Sequence, residues 1–201
     1  MPEAFIEFVD VHKSFGDNAV LRGIDLSIER GQITTIIGKS GGGKSVLLKH
    51  IIGLIQPDSG EIWIDDDELT RLKEKDVYRV RKRFGMLFQE GALFDSMNVG
   101  QNVAFPIFEH RELPFAEVQK LVKEKLELVG LPGIEDKMPS ELSGGMRRRV
   151  GFARAIALEP EILLFDEPTT GLDPINTAAL GNVIHQLRTE RGVTAVTITH
   201  D

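Results

Sequence analysis

Gly38-Lys39-Ser40-Gly41-Gly42-Gly43-Lys44-Ser45 fits the pattern G-x-x-x-x-G-K-[ST] at every position. Residues 32–37 before it (QITTII) are β-rich and apolar, as in a buried strand, and residues 46–52 after it read as an apolar helix. The chemistry requires these residue types. A triphosphate carries several negative charges and must be surrounded by donors. Glycines let the backbone turn so that successive N–H groups point inward, with no side chain in the way. Lys44 can reach the β- and γ-phosphates, and Ser45 can place its hydroxyl on Mg²⁺. A helix starting near Gly43 adds its positive N-terminal end. Strand, loop and helix in this order predict an α/β fold built around a nucleotide's phosphates.

A second element complements the first. Ile162-Leu163-Leu164-Phe165-Asp166-Glu167 is a short apolar run ending in two carboxylates. It is too short to span a membrane and suits a fully buried parallel strand. Carboxylates at its end emerge at the edge of the sheet, where α/β sites sit. Asp166 suits the Mg²⁺ shell and Glu167 suits polarising an attacking water. The plainer alternative is an ordinary strand end followed by an Asp-Glu-Pro turn.

Composition narrows the class. The 201 residues are enough for a real core. A net charge of −7 argues against nucleic acid as the main partner. No window of 18 or more apolar residues occurs, and the start Met-Pro-Glu-Ala lacks the regions of a secretory signal. The absence of cysteine removes disulfides and thiol chemistry, and the five histidines show no metal spacing. The expectation is a cytoplasmic protein.

Residues 5–11 and 24–28 alternate as half-exposed strands, and residues 60–64 add another after the Pro57-Asp58-Ser59-Gly60 turn. Residues 65–68 read as a solvated acidic turn, and residues 83–88 as a strand entering the core. From 91 to 149 the character changes: Phe115, Val118, Leu121, Val122 and Val129 recur at helical spacing. Strand, turn, helix (175–190) and strand (193–199) then return.

The next feature is Leu142-Ser143-Gly144-Gly145-Met146, which opens a helix running to about Leu158 with Ser143 as N-cap. Physically this is a second anion site. Its separation from the phosphate loop, with a helical insert between, is awkward for one nucleotide touching both. With this motif the chain resembles, over essentially its whole length, the nucleotide-binding domain of ATP-binding cassette (ABC) ATPases. The resemblance implies a P-loop NTPase (RecA-like) core with a mostly parallel sheet, an N-terminal antiparallel β subdomain and a helical insert. It implies one domain over 1–201, with the core and β subdomain in 1–90 and 151–201 and the helical subdomain in 91–150.

It also implies site roles. Residues 38–45 are the phosphate loop, and Gln89 touches Mg²⁺ and the attacking water. Ser143, Gly144 and Gly145 cap the γ-phosphate held by the opposite subunit of a homodimer. Asp166 is the metal carboxylate, Glu167 the catalytic base, Asp173 lies at the dimer seam, and His200 contacts the γ-phosphate. Phe15 sits where the family stacks an aromatic on adenine, although a core role suits it as well. Without the register of the other motifs, Gln89 would be an ordinary surface residue and His200 a satisfied histidine. Arg147, Arg148 and Arg149 are assigned no function. The family continues for tens of residues past the histidine, so a C-terminally short chain is expected.

Residues 87–106 (LFQEGALFDSMNVGQNVAFP), with Leu-Ser-Gly-Gly-Met and the preceding Met138-Pro139-Ser140-Glu141, are similar to the ATPases of Mla-type phospholipid transporters. That likeness implies a separate membrane permease with MCE and STAS partners, and phospholipid movement between inner and outer membranes. The alternative is an importer ATPase for another small solute such as amino acids. Phe94, Met97, Val99 and Phe105 either pack the insert against the core or line the groove that receives a permease helix.

Overall fold

A computed structural model describes residues 4–88, 91–168 and 174–200. In chain order come β1 (Ala4–Phe15), β2 (Asn18–Glu29), β3 (Ile33–Ile37) and α1 (Lys44–Ile51). Next are β4 (Ser59–Ile64), β5 (Asp67–Glu68), α2 (Glu74–Arg81) and β6 (Phe84–Leu87). The helices α3 (Val99–His110), α4 (Phe115–Leu128) and α5 (Gly144–Ala155) follow, then β7 (Ile162–Asp166), α6 (Pro174–Arg191) and β8 (Thr194–Thr199).

The strands form two sheets. One is antiparallel in the order β2-β1-β4-β5, and the other is parallel in the order β3-β8-β7-β6. In β7 the first four residues are all buried, as a parallel strand covered on both faces requires. Ile162 and Leu164 face a core shared with α1 and the antiparallel sheet. Leu163 and Phe165 face a second core built with α3, α4, α5 and α6. Thus α1 and α5 bury their apolar stripes on opposite faces of one sheet. The expected architecture is present: a parallel core, an N-terminal antiparallel sheet and a helical insert.

Details differ from the sequence reading. The first strand runs on to Phe15, because a register shift between Phe8 and Val11, with Asp10 at φ 49°, lets it pair on both edges past residue 11. In the acidic stretch 65–68 only Asp65 and Asp66 form an exposed turn, and Asp67 and Glu68 form β5. Asp65 pairs with Arg30 and Arg83 at 2.8 and 2.9 Å, Asp67 pairs with Arg79 at 2.6 Å, and β5 joins the sheet. Three arginines and two aspartates from separated segments meet there, a juxtaposition that only the tertiary fold creates. Helix α2 is a further element that the sequence did not announce. The signature helix ends at Ala155, three residues short of the expected end.

Candidate nucleotide site

Three elements converge at the carboxyl edge of the parallel sheet. The chain leaves β3 at Ile37, and Gly38 N–H donates to the Thr199 carbonyl at the end of β8 (3.2 Å). Gly41 and Gly43 take left-handed φ values of 76° and 87°, which an L side chain resists. A Cβ on Gly43 would meet Val20 Cγ1 at 2.9 Å, and one on Gly42 would meet the Lys39 carbonyl at 3.0 Å. The loop is therefore a backbone cradle with little room for side chains at Gly42 and Gly43. Helix α1 starts directly after it, with Gly43 as N-cap, so its first N–H groups face the loop.

Lys44 is buried, and its Nζ donates to the Gly38 and Lys39 carbonyls at 2.6 and 3.0 Å. The ammonium is thus held in the mouth of the cradle. Ser45 Oγ lies 3.3 Å from Asp166 Oδ1 and donates to it. Burial, then the neighbouring Glu167 charge, raise the Asp166 pKa, while the Ser45 hydrogen bond opposes the rise. A hydroxyl and a partly desolvated carboxylate side by side are the hard oxygen donors that Mg²⁺ takes. A cation there would relieve the carboxylate's desolvation. The donor set and the cradle fit a Mg²⁺–nucleotide pair. Among the described residues no group of three His, Asp or Glu side chains is placed to hold a metal.

Glu167 follows in a left-handed conformation, φ 50°, with its N–H donating to the Ile198 carbonyl at 3.0 Å. Positive φ at a non-glycine residue costs about 1 kcal/mol or more and marks a constrained site. The turn aims the carboxylate at His200, whose Nδ1–H donates to Glu167 Oε1 at 2.9 Å. That bond fixes the imidazole tautomer. The structure therefore brings Lys44, Ser45, Asp166, Glu167 and His200 together from β3–α1, β7 and β8.

Two expected members come from other elements. Phe15 closes β1 half exposed, with the Lys13 ammonium 5.6 Å from its ring centroid, so it is not a core residue. Ser143 caps α5 by accepting the Met146 N–H at 3.3 Å, and a Cβ on Gly144 would meet nothing within 4 Å. Ser143 and Gly144 are exposed at the start of a helix that packs on the face opposite α1. Gln89 and Asp173 lie outside the described residues. Sequence reasoning missed the framing residues of this region. Thr199 anchors the loop through its backbone carbonyl, a contact without a side-chain signature.

A second cavity, of about 370 Å³, opens between β6, α3 and the end of α5, with Phe88, Phe94, Phe105, Pro106 and Arg154 in its wall. The four aromatic-motif residues divide here. Val99 is fully buried in the helical core, whereas Phe94 and Phe105 line the cavity with ring centroids 5.0 Å apart. Buried Asn102 shapes this wall. Its Oδ1 accepts the Phe94 N–H at 2.8 Å, and its Nδ2 donates to the Phe94, Met97 and Asn98 carbonyls. Asn102 stood in the quoted motif with no role assigned. No helix among the described residues is long and apolar enough to cross a membrane.

Comparison with known proteins agrees with this geometry. The family model described as ABC transporter matches residues 21–170. The chain is 48% identical over 196 residues to the intermembrane phospholipid transport system ATP-binding protein MlaF of Escherichia coli K12, covering 98% of the chain and 73% of that protein. It is 45% identical over 196 residues to a probable ribonucleotide transport ATP-binding protein, mkl, of Mycobacterium leprae. There the match covers 98% of the chain but only 56% of the relative, so the chain spans little more than half the length of that protein. A dimeric post-hydrolysis state of the ATP-binding cassette MJ0796, bound to ADP and Pi, superposes with a TM-score of 0.90 at 31% identity, covering 98% of this chain and 88% of that one. The chain belongs to the ABC transporter family.

Proposed function

We propose that the chain is the ATP-binding and ATP-hydrolysing part of a transporter that moves phospholipid between membranes, acting as a homodimer on a separate membrane permease. The observation that carries the ATPase reading is the constellation at the sheet edge. Ser45 and Asp166 stand 3.3 Å apart beside the phosphate cradle, and Glu167 is aimed by a strained turn at His200.

The residues have distinct tasks. Backbone N–H groups of residues 38–45 surround the phosphates, and Lys44 exchanges its carbonyl partners for phosphate oxygens. Ser45 and Asp166, with Gln89, hold Mg²⁺, which when bound neutralises charge on the β- and γ-phosphate oxygens. Glu167 accepts a proton from the attacking water as general base. His200 holds that carboxylate in place and contacts the γ-phosphate. Phe15 stacks on the adenine.

Ser143, Gly144 and Gly145 begin a helix that packs on the sheet face opposite α1, which supports their serving a nucleotide other than the one held by Lys44. They serve the nucleotide of the second copy, with Asp173 at the seam. The dimeric relative supports this arrangement. The cavity lined by Phe94 and Phe105 receives a helix of the permease, which places the chain on the cytoplasmic face of the membrane. The MlaF relatives support phospholipid as the substrate class, with MCE and STAS subunits as further partners.

The direct test is Glu167→Gln. Removing a general base costs about 10²- to 10⁴-fold in rate. ATP binding should persist within a few-fold while turnover falls by about that factor. Hydrolysis at the wild-type rate would overturn the assignment. A pull-down from membranes with the full-length protein tests the transporter reading. Recovery of a permease with an MCE protein supports it, and recovery with a solute-binding protein favours the importer alternative.

A further inference from the structure

The turn after α1 is fastened to the end of β1 by contacts that the phosphate site does not use. Pairing of β1 with β4 ends at His12 and Ser59, and the Asp58 N–H donates to the His12 carbonyl at 2.9 Å. The turn presses close, because a Cβ on Gly60 (φ 93°) would collide with the Asp10 carbonyl. Past His12, β1 has lost β4 as a partner, yet it runs on to Phe15. The Asp58 carboxylate stands in for the missing strand. Its Oδ2 accepts the Ser14 N–H at 2.6 Å, and its Oδ1 accepts from the Lys13 ammonium at 2.8 Å.

Lys13 passes the tie on to Phe15. Its Nζ lies 5.6 Å from the Phe15 ring centroid, within cation–π range, and its side chain is only 17% exposed. An ammonium so covered needs an anionic partner, and Asp58 supplies it. The lysine hydrogen bond first, then the Ser14 N–H, lower the Asp58 pKa, so the carboxylate stays charged at neutral pH. The same hairpin meets the phosphate cradle through its other strand, where a Cβ on Gly43 would strike Val20 of β2. Asp58 therefore fixes one strand end of a hairpin that itself abuts the cradle.

We propose that Asp58 is a positioning residue for the nucleotide's base: it grips the Ser14 N–H and the Lys13 ammonium, and so presets the Phe15 ring on which the base stacks. This rests on the reading of Phe15 as the residue that stacks on adenine. Asp58 acts through Lys13 and Ser14, not on the nucleotide itself. Without it, residues 13–15 pair only with β2, across a register shift between Lys13 and Ser14. Stacking of a base then has to order the strand end as well, and that ordering lowers affinity.

The test uses the full-length protein and calorimetric binding of two ligands: Mg²⁺–ADP, and Mg²⁺–tripolyphosphate, which has no base. Base–aromatic stacking contributes about 10-fold or more in affinity, so Phe15→Ala should weaken ADP binding about 10-fold and leave tripolyphosphate unchanged. Asp58→Ala should weaken ADP about 5-fold, part of that stacking gain, with tripolyphosphate again unchanged. Equal weakening of both ligands would mean a purely structural role and overturns the proposal, as does an unchanged ADP affinity. If Asp58→Ala does not fold, Lys13→Met decides: ADP alone weakened about 3-fold supports the tie, and no change, or an equal loss for both ligands, refutes it. Phe15→Ala separates the two readings. If that variant binds ADP as well as the wild type, the stacking reading fails and the proposal with it. If it loses ADP affinity while Asp58→Ala does not, only the proposal fails.

Discussion

The two phosphate-binding ends of the chain are finished to different degrees. At the end of α1 the site is closed within the chain. Lys44 is buried against loop carbonyls, Ser45 meets Asp166, and Glu167 meets His200. At the end of α5 the helix start is open: Ser143 is spent on its own cap, and the space around Gly144 is empty. Both ends offer free N–H groups and the positive end of a helix dipole. Only the first adds a cation and carboxylates. The difference supports the proposal that the first end binds and hydrolyses ATP, while the second contributes to a nucleotide held elsewhere. In the proposed function that nucleotide belongs to a second copy, as the dimeric relative supports.

Breaking the closed end gives the largest effect. Lys44→Ala removes a cation from the centre of the cradle, and charge-assisted hydrogen bonds contribute about 1.5–3 kcal/mol each. ATP affinity measured by calorimetry should fall by about 100-fold or more, with fold stability little changed. Affinity within a few-fold of wild type would show that the closed end does not depend on its lysine.

The next effect lies on the open side, in the frame that carries the helical insert. Asn102→Leu strips four hydrogen bonds from a fully buried position and leaves the Phe94 N–H and carbonyls of Phe94, Met97 and Asn98 to find new partners. Urea denaturation should show a loss of about 2 kcal/mol, with nucleotide affinity preserved because the cradle stands on the other core. An equal loss of affinity would mean that the two regions are not separable.

The smallest effect is electrostatic. Glu159 is hydrogen-bonded first by Arg191 and also by Lys125, at 2.5 and 3.0 Å, and these hold its pKa at about 2 against burial. They join the start of β7 to α4 and α6. A depressed carboxylate stabilises the fold fully above its unfolded pKa near 4.5, and that contribution is lost as pH falls through about 2. Because the side chain is 39% exposed, solvent screening leaves about 1 kcal/mol of it. Glu159→Gln should lose that at neutral pH and flatten the stability curve between pH 4.5 and 2. An unchanged acid limb would assign the acid sensitivity elsewhere.

Much of the closed end was legible in the sequence because its chemistry is local. The glycines, Lys44 and Ser45 are contiguous, and the buried strand ending in Asp166 and Glu167 announces its own position at the sheet edge. Ser143 was legible as a cap for the same reason. What stayed hidden depends on distant segments meeting. The acidic stretch at 65–68 looked solvated because Arg30, Arg79 and Arg83 come from three other elements. The first strand looked shorter than it is because a bulge at Asp10 breaks its alternation without ending its pairing. The close approach of Gly91 to Gly151 and the hydrogen bond from Arg154 to the Gly91 carbonyl have no local pattern at all, since each glycine alone reads as a loop or a weak helix position. For Phe94, Val99 and Phe105 the sequence supplied aromatic and apolar content but not the side of the helix on which each falls.

The central claim is that the exposed end at Ser143 completes a site held by another copy. It is tested most directly by Ser143→Arg in one half of a covalently linked tandem dimer, with hydrolysis at each site followed separately by pairing it with Lys44→Ala in one half or the other. Loss of one donor to a developing charge costs about 10²-fold. The account predicts that loss at the site containing the other half's Lys44, with the remaining site much less affected. A loss at the site containing the substituted half's own Lys44, or no loss at either site, would contradict it.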